Sequence, residues 1–198
     1  MKDNIKNSRF TPMHRGLHWI MAVAMTVLFI TGFLRMTWMN KNRIIDVITE
    51  KTPATPIAKD VMTNIAKAIR APMWEWHVTF AYVMVIAFVA RIIYMLVKGV
   101  KFPNPFKNNQ SFKARLQGFT YIYFYAFVLI NVVTGICLKF SLLSARKEGI
   151  EATHKFGIYW FPVFLLLHFA GIAIAEHTNE RGVVSKMIGG ESGIKNEE

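Results

Sequence analysis

Four stretches of the chain are apolar for about 20 residues each, and the polar residues gather between them. A helix rises 1.5 Å per residue, so about 20 residues cross roughly 30 Å of hydrocarbon. The pattern predicts spans at about 17–36, 77–97, 118–140 and 153–175. The first is too long in its apolar core for a signal peptide, and no small-residue cleavage site follows Met36, so it is read as a retained span. The expectation is an all-α membrane protein, a four-transmembrane-helix up-down bundle. It forms one domain over residues 1–177, and 178–198 follow as a flexible cytoplasmic tail.

The connection between the first two spans is long. Thr55-Pro56 reads as an N-cap followed by proline at the first helical position. Ile57, Val61, Ile65 and Ile69 then recur every four residues, opposite Lys59, Asp60, Lys67 and Arg70. This spacing predicts a short amphipathic helix in the first loop, lying on the membrane surface or packed on the bundle. Between the second and third spans, Pro103, Pro105 and paired Asn mark a polar turn.

Composition agrees with a lipid-facing surface: 53% of the 198 residues are hydrophobic and only 18% charged. A net charge of +12 invites nucleic acid as a partner, yet Lys and Arg at span ends meet anionic lipid headgroups instead. Lys and Arg divide almost evenly between the two sides, so charge alone barely sets orientation. The single cysteine, Cys137, allows no disulfide framework and no covalent haem attachment.

All six histidines lie in or at the ends of spans. A histidine deep in a span is costly unless it is paired. His154 and His168 are 14 residues apart, about 21 Å along a helix axis and within about 40° of the same face. In an up-down bundle, His77 shares the depth of His154, and His18 that of His168. Two bis-histidine pairs from facing helices suit two six-coordinate haems, with no open iron site and hence electron transfer. A non-haem metal transporter would also pair histidines, although the span interiors contain no Asp or Glu to line its pathway.

Several short elements occur in a fixed order: His18-Trp19, Thr31-Gly32, His77, Ala90 to Tyr94, Thr134-Gly135 and the H-x13-H of the fourth span. Together they resemble the bacterial cytochrome b561 family, which includes the cytochrome b subunits of nickel–iron hydrogenases and formate dehydrogenases. The resemblance implies two haem b groups. His18 and His168 would be axial ligands of the one near the cytoplasm, and His77 and His154 of the one near the periplasm. It also implies a multi-pass protein of the bacterial inner membrane with both termini cytoplasmic. Haem propionates need donors: Arg91 and Arg15 are expected at the cytoplasmic haem, with Arg35, Trp74, Trp76 and Lys155 as candidates on the other side. Gly32, Gly135, Gly157 and Gly171 are positions where a macrocycle or a packed helix can approach the backbone. Family members exchange electrons with quinone or quinol, and the resemblance points to His14, Gln117 and Tyr121 near His168. The expected role is a link between the quinone pool and a periplasmic or membrane oxidoreductase subunit, in a chain that can also homo-oligomerise. The alternative is a stand-alone superoxide oxidase with a basic funnel supplied by Lys41, Arg43 and Lys51.

Overall fold

A computed structural model describes residues 10–99, 103–178 and 182–190. Among the described residues every regular element is helical. They are α1 (Pro12–Met36), α2 (Lys41–Lys51), α3 (Lys59–Lys98), α4 (Phe112–Lys139), α5 (Lys147–Lys155), α6 (Gly157–Glu176) and α7 (Val183–Gly189), with a single 3-10 turn at Ser144–Arg146 before α5. Four segments are long and apolar enough to cross a membrane: α1, α3, α4 and the stretch Ser144–Glu176. The expected all-α, four-span architecture is the one observed.

Two boundaries differ from expectation for physical reasons. The amphipathic stretch after Thr55-Pro56 is helical, but only from Lys59, and it runs without interruption into the second span. Its 40 residues extend about 60 Å, twice the hydrocarbon thickness, so part of α3 stands outside the bilayer. The separate short helix of the first loop is α2, opened by Asn40, whose side chain accepts from the Asn42 N–H. The fourth span is broken at Phe156, where α5 ends and α6 begins. There the Tyr159 N–H reaches back only three residues to the Phe156 carbonyl. Pro162 follows within α6 and has no N–H to donate.

The helices sort into two compact units, Met21–Ile86 and the combination of Met1–Ile20 with Ala87–Glu198. In the first unit Met21, Ala24, Met25, Ala66, Met73 and Met84 are buried. In the second, α4 packs along α5 and α6. Phe124 meets Phe164 at 5.1 Å, and the Tyr123 hydroxyl donates to the Trp160 carbonyl at 3.0 Å. Large apolar side chains such as Leu166, 72% exposed, cover the outside; in water such a surface would drive aggregation, and in a bilayer it meets lipid.

Within the segment read as a tail, α7 is held by contacts far apart in sequence. The Glu176 carboxylate accepts from the N–H groups of Gly182 and Val184 at 2.8 and 2.9 Å, satisfying orphan donors at the helix start. At its other end the Met187 and Ile188 carbonyls accept from Trp19 Nε1 and Arg15 Nη1, each at 3.4 Å.

Candidate haem-ligand histidines

His18 and His168 face one another, with ring centres 6.1 Å apart and planes tilted by 36°. Two metal–imidazole bonds of about 2.0 Å, added to the distance from each bonding nitrogen to its ring centre, give about 6 Å between centres. The pair is therefore spaced for one metal centre between the rings. Packing holds both: His18 meets the edge of Trp19 at 5.4 Å, and His168 stacks on Phe164 at 5.5 Å.

His77 and His154 are held differently, each by a threonine. His77 Nδ1 lies 2.8 Å from Thr31 Oγ1, and His154 Nδ1 lies 3.0 Å from Thr134 Oγ1. A threonine hydroxyl has one proton. In Thr31 it points to the Val27 carbonyl at 2.7 Å, and in Thr134 to the Ile130 carbonyl, also at 2.7 Å. With the hydroxyl donating to its carbonyl, the oxygen would accept from the imidazole, placing the proton on Nδ1 and making Nε2 the nitrogen suited to a metal. Sequence reading had picked out both Thr-Gly pairs without giving the threonines this role.

The glycines of these pairs behave differently. A Cβ at Gly135 would stand 3.2 Å from His154 Cε1, so the missing side chain is what admits the imidazole. A Cβ at Gly157 would meet Asn131 Oδ1 at 2.5 Å, so that glycine is filled by protein. Among the described residues nothing lies within 4 Å of a Cβ at Gly32 or Gly171.

Arg91 is buried, with Nε donating to the Tyr125 hydroxyl at 3.0 Å, and that hydroxyl donates on to Met95 Sδ. Its two terminal nitrogens make no hydrogen bond among the described residues, so the fork stays available for an anion. Arg15 instead binds the end of α7, and its Nε is buried without an acceptor. Tyr125 was not anticipated; only its contact with Arg91 reveals it.

Gln117, Tyr121 and His168 line one cavity of about 150 Å³, together with Phe10, Lys113 and Gly171. His14 is not part of that lining. It packs against the edges of Phe10 and Tyr94, beside a 2.6 Å hydrogen bond between Thr11 and Tyr94. His177 is the exposed residue ending α6. Of the candidates on the other side, Arg35 lies over the Trp74 ring, while Lys155 pairs with Glu151.

A family model described as prokaryotic cytochrome b561 matches residues 9–190. No curated protein and no solved structure matches the chain. The match spans nearly the whole chain, which therefore belongs to the prokaryotic cytochrome b561 family: it is a multi-pass membrane b-type cytochrome of electron transfer that binds haem b.

Proposed function

We propose that this member of the prokaryotic cytochrome b561 family carries two haems b and moves electrons across the bacterial inner membrane between the quinone pool and a redox partner. The observation that carries the reading is the His18–His168 pair, spaced for one metal, with His168 lining the cavity of Gln117 and Tyr121. His18 and His168 would ligate one haem. His77 and His154, each prepared as an Nε2 ligand by its threonine, would ligate the other. When bound, bis-histidine haem supplies one-electron redox chemistry with no open coordination site.

The residues of the chain do the positioning. Thr31 and Thr134 hold the proton of each imidazole on Nδ1. Phe164 fixes the plane of His168, and Arg91, steadied by Tyr125, offers its fork to a propionate. Gln117 and Tyr121 present polar atoms in a largely apolar cavity, the arrangement that suits a quinone headgroup. On this reading both termini lie on the cytoplasmic side, so that quinone would meet the haem nearest His168 from within. The exposed cations Lys41 and Arg43 of α2 suit a docking partner; in the alternative of a stand-alone superoxide oxidase they would attract the substrate anion.

Quinol reduction of the purified protein tests the reading. Gln117→Ala and Tyr121→Phe are expected to slow reduction of the haems at least about tenfold, a loss of roughly 1.4 kcal/mol in transition-state binding, with haem content unchanged. Unaltered quinol reduction in both variants would remove the cavity from the account. Superoxide-dependent quinone reduction by the chain alone would favour the alternative.

A further inference from the structure

The region around His77 holds a second charged arrangement that axial ligation does not use. Arg70, Trp74 and His77 fall at positions i, i+4 and i+7 of α3, on one helix face. Thr31 and Arg35 fall at i and i+4 of α1, likewise on one face. The Thr31–His77 hydrogen bond brings these two faces together. Trp74 stacks on the His77 ring at 5.4 Å with planes 6° apart, and the Arg35 guanidinium sits over Trp74 at 4.9 Å. Arg70 lies close enough to Arg35 for the two charges to repel.

Among the described residues neither arginine forms an ion pair with a carboxylate, the neighbouring Glu75 included. Arg70 Nε is buried with no acceptor. Two cations that repel one another, one with a buried unsatisfied donor, are an unfavourable arrangement unless an anion completes it. Planar guanidinium forks match the two oxygens of a carboxylate or a phosphate.

We infer that Arg35 and Arg70 form a clamp for the propionate carboxylate of the haem ligated by His77. This rests on the two-haem reading above. The propionate is favoured over a phospholipid phosphate because the clamp is built on the ligand's own face, stacked through Trp74 onto His77. Sequence reading had named Arg35 without Arg70. Arg70 stands about 10 Å along α3 from His77, a distance at which its role shows only through its contacts.

The test is a redox titration of the purified holoprotein, resolved by haem, for the wild type and for Arg35→Gln, Arg70→Gln and the double variant. A cation beside a propionate favours the reduced haem, which carries one positive charge fewer. The double variant is expected to lower one midpoint by about 59 mV, a tenfold change in a one-electron equilibrium, and to leave the other unchanged. Arg70→Lys retains part of the effect. In protein assembled with haem dimethyl ester, which lacks the carboxylates, the arginine charges still act on the iron, so affinity is the discriminating readout: the double variant is expected to weaken binding of haem b about tenfold and binding of the ester not at all. Unmoved midpoints in protein with full haem content overturn the clamp and spare the two-haem reading. Equal weakening of haem b and ester binding also overturns it, as does loss of co-purifying phospholipid phosphorus with midpoints unchanged. If His77→Ala leaves both haems bound, the ligand assignment fails and the clamp fails with it.

Discussion

The His18–His168 end and the two threonine-supported histidines solve one problem by different means. At the first, aromatic neighbours fix the rings: His168 lies against Phe164 and His18 against Trp19. At the second, Thr31 and Thr134 hold the rings by hydrogen bonds at Nδ1, each hydroxyl also lying 2.7 Å from a backbone carbonyl one turn earlier. Packing sets where a ring lies. A hydrogen bond also sets which nitrogen carries the proton. Ring position at the first end should therefore respond to side-chain volume, and ligand chemistry at the second to a single polar atom.

The largest expected effect is loss of a ligand. His18→Ala and His168→Ala should each remove the same haem, halving the haem per chain, while His77→Ala and His154→Ala should each remove the other. Pyridine haemochrome quantitation reads this, and loss of both haems from every single variant would erase the distinction between the ends.

Threonine substitution comes next. Thr31→Val and Thr134→Val keep the shape and remove the acceptor, leaving an imidazole N–H unsatisfied at a cost of about 1–3 kcal/mol. Haem affinity is expected to fall about 10–100-fold, the usual range for an outer-shell partner of a ligating histidine. Thr→Ser should restore most of it. Equal haem retention in Val and Ser variants, measured by competition with a haem-scavenging apoprotein, would show that the hydroxyls do not matter.

Gly135→Ala should displace His154, because the new Cβ would sit 3.2 Å from Cε1. Its signature is a changed low-spin ferric electron paramagnetic resonance spectrum for one haem. The smallest effect is expected from Phe164→Leu, which removes a ring contact of about 0.5–1.5 kcal/mol beside His168. Broadening of the signal of the other haem, with haem content retained, is the expected outcome. A larger loss of haem from Phe164→Leu than from Thr134→Val would reverse the comparison.

Much of this was legible from periodicity and spacing. The spans were visible because about 20 apolar residues in a row is a one-dimensional signal, and the histidines because all six lie in such runs or at their ends. The start of α3 was misjudged because Thr55-Pro56 carries the local marks of a helix start, whereas the helix opens only at Lys59 and extends into the span. α2 had its own signal in Asn40 followed by Ile44, Ile45 and Ile48. α7 offered little, since Glu176, Arg15 and Trp19 hold it across long separations in sequence. The threonines stood in the sequence as parts of Thr-Gly pairs. Their function depends on which imidazole they meet, and that contact between helices is set by tertiary packing. Arg70 was assigned to the polar face of an amphipathic helix for the same reason.

The central claim is that four histidines form two bis-histidine haem sites, one fixed by packing and one by threonine hydroxyls. Haem per chain in the purified wild-type protein, counted together with the spin state of the ferric iron, tests it most directly. The account predicts two haems b per chain, both low-spin. One haem per chain, or a high-spin site open to added ligands, would contradict it.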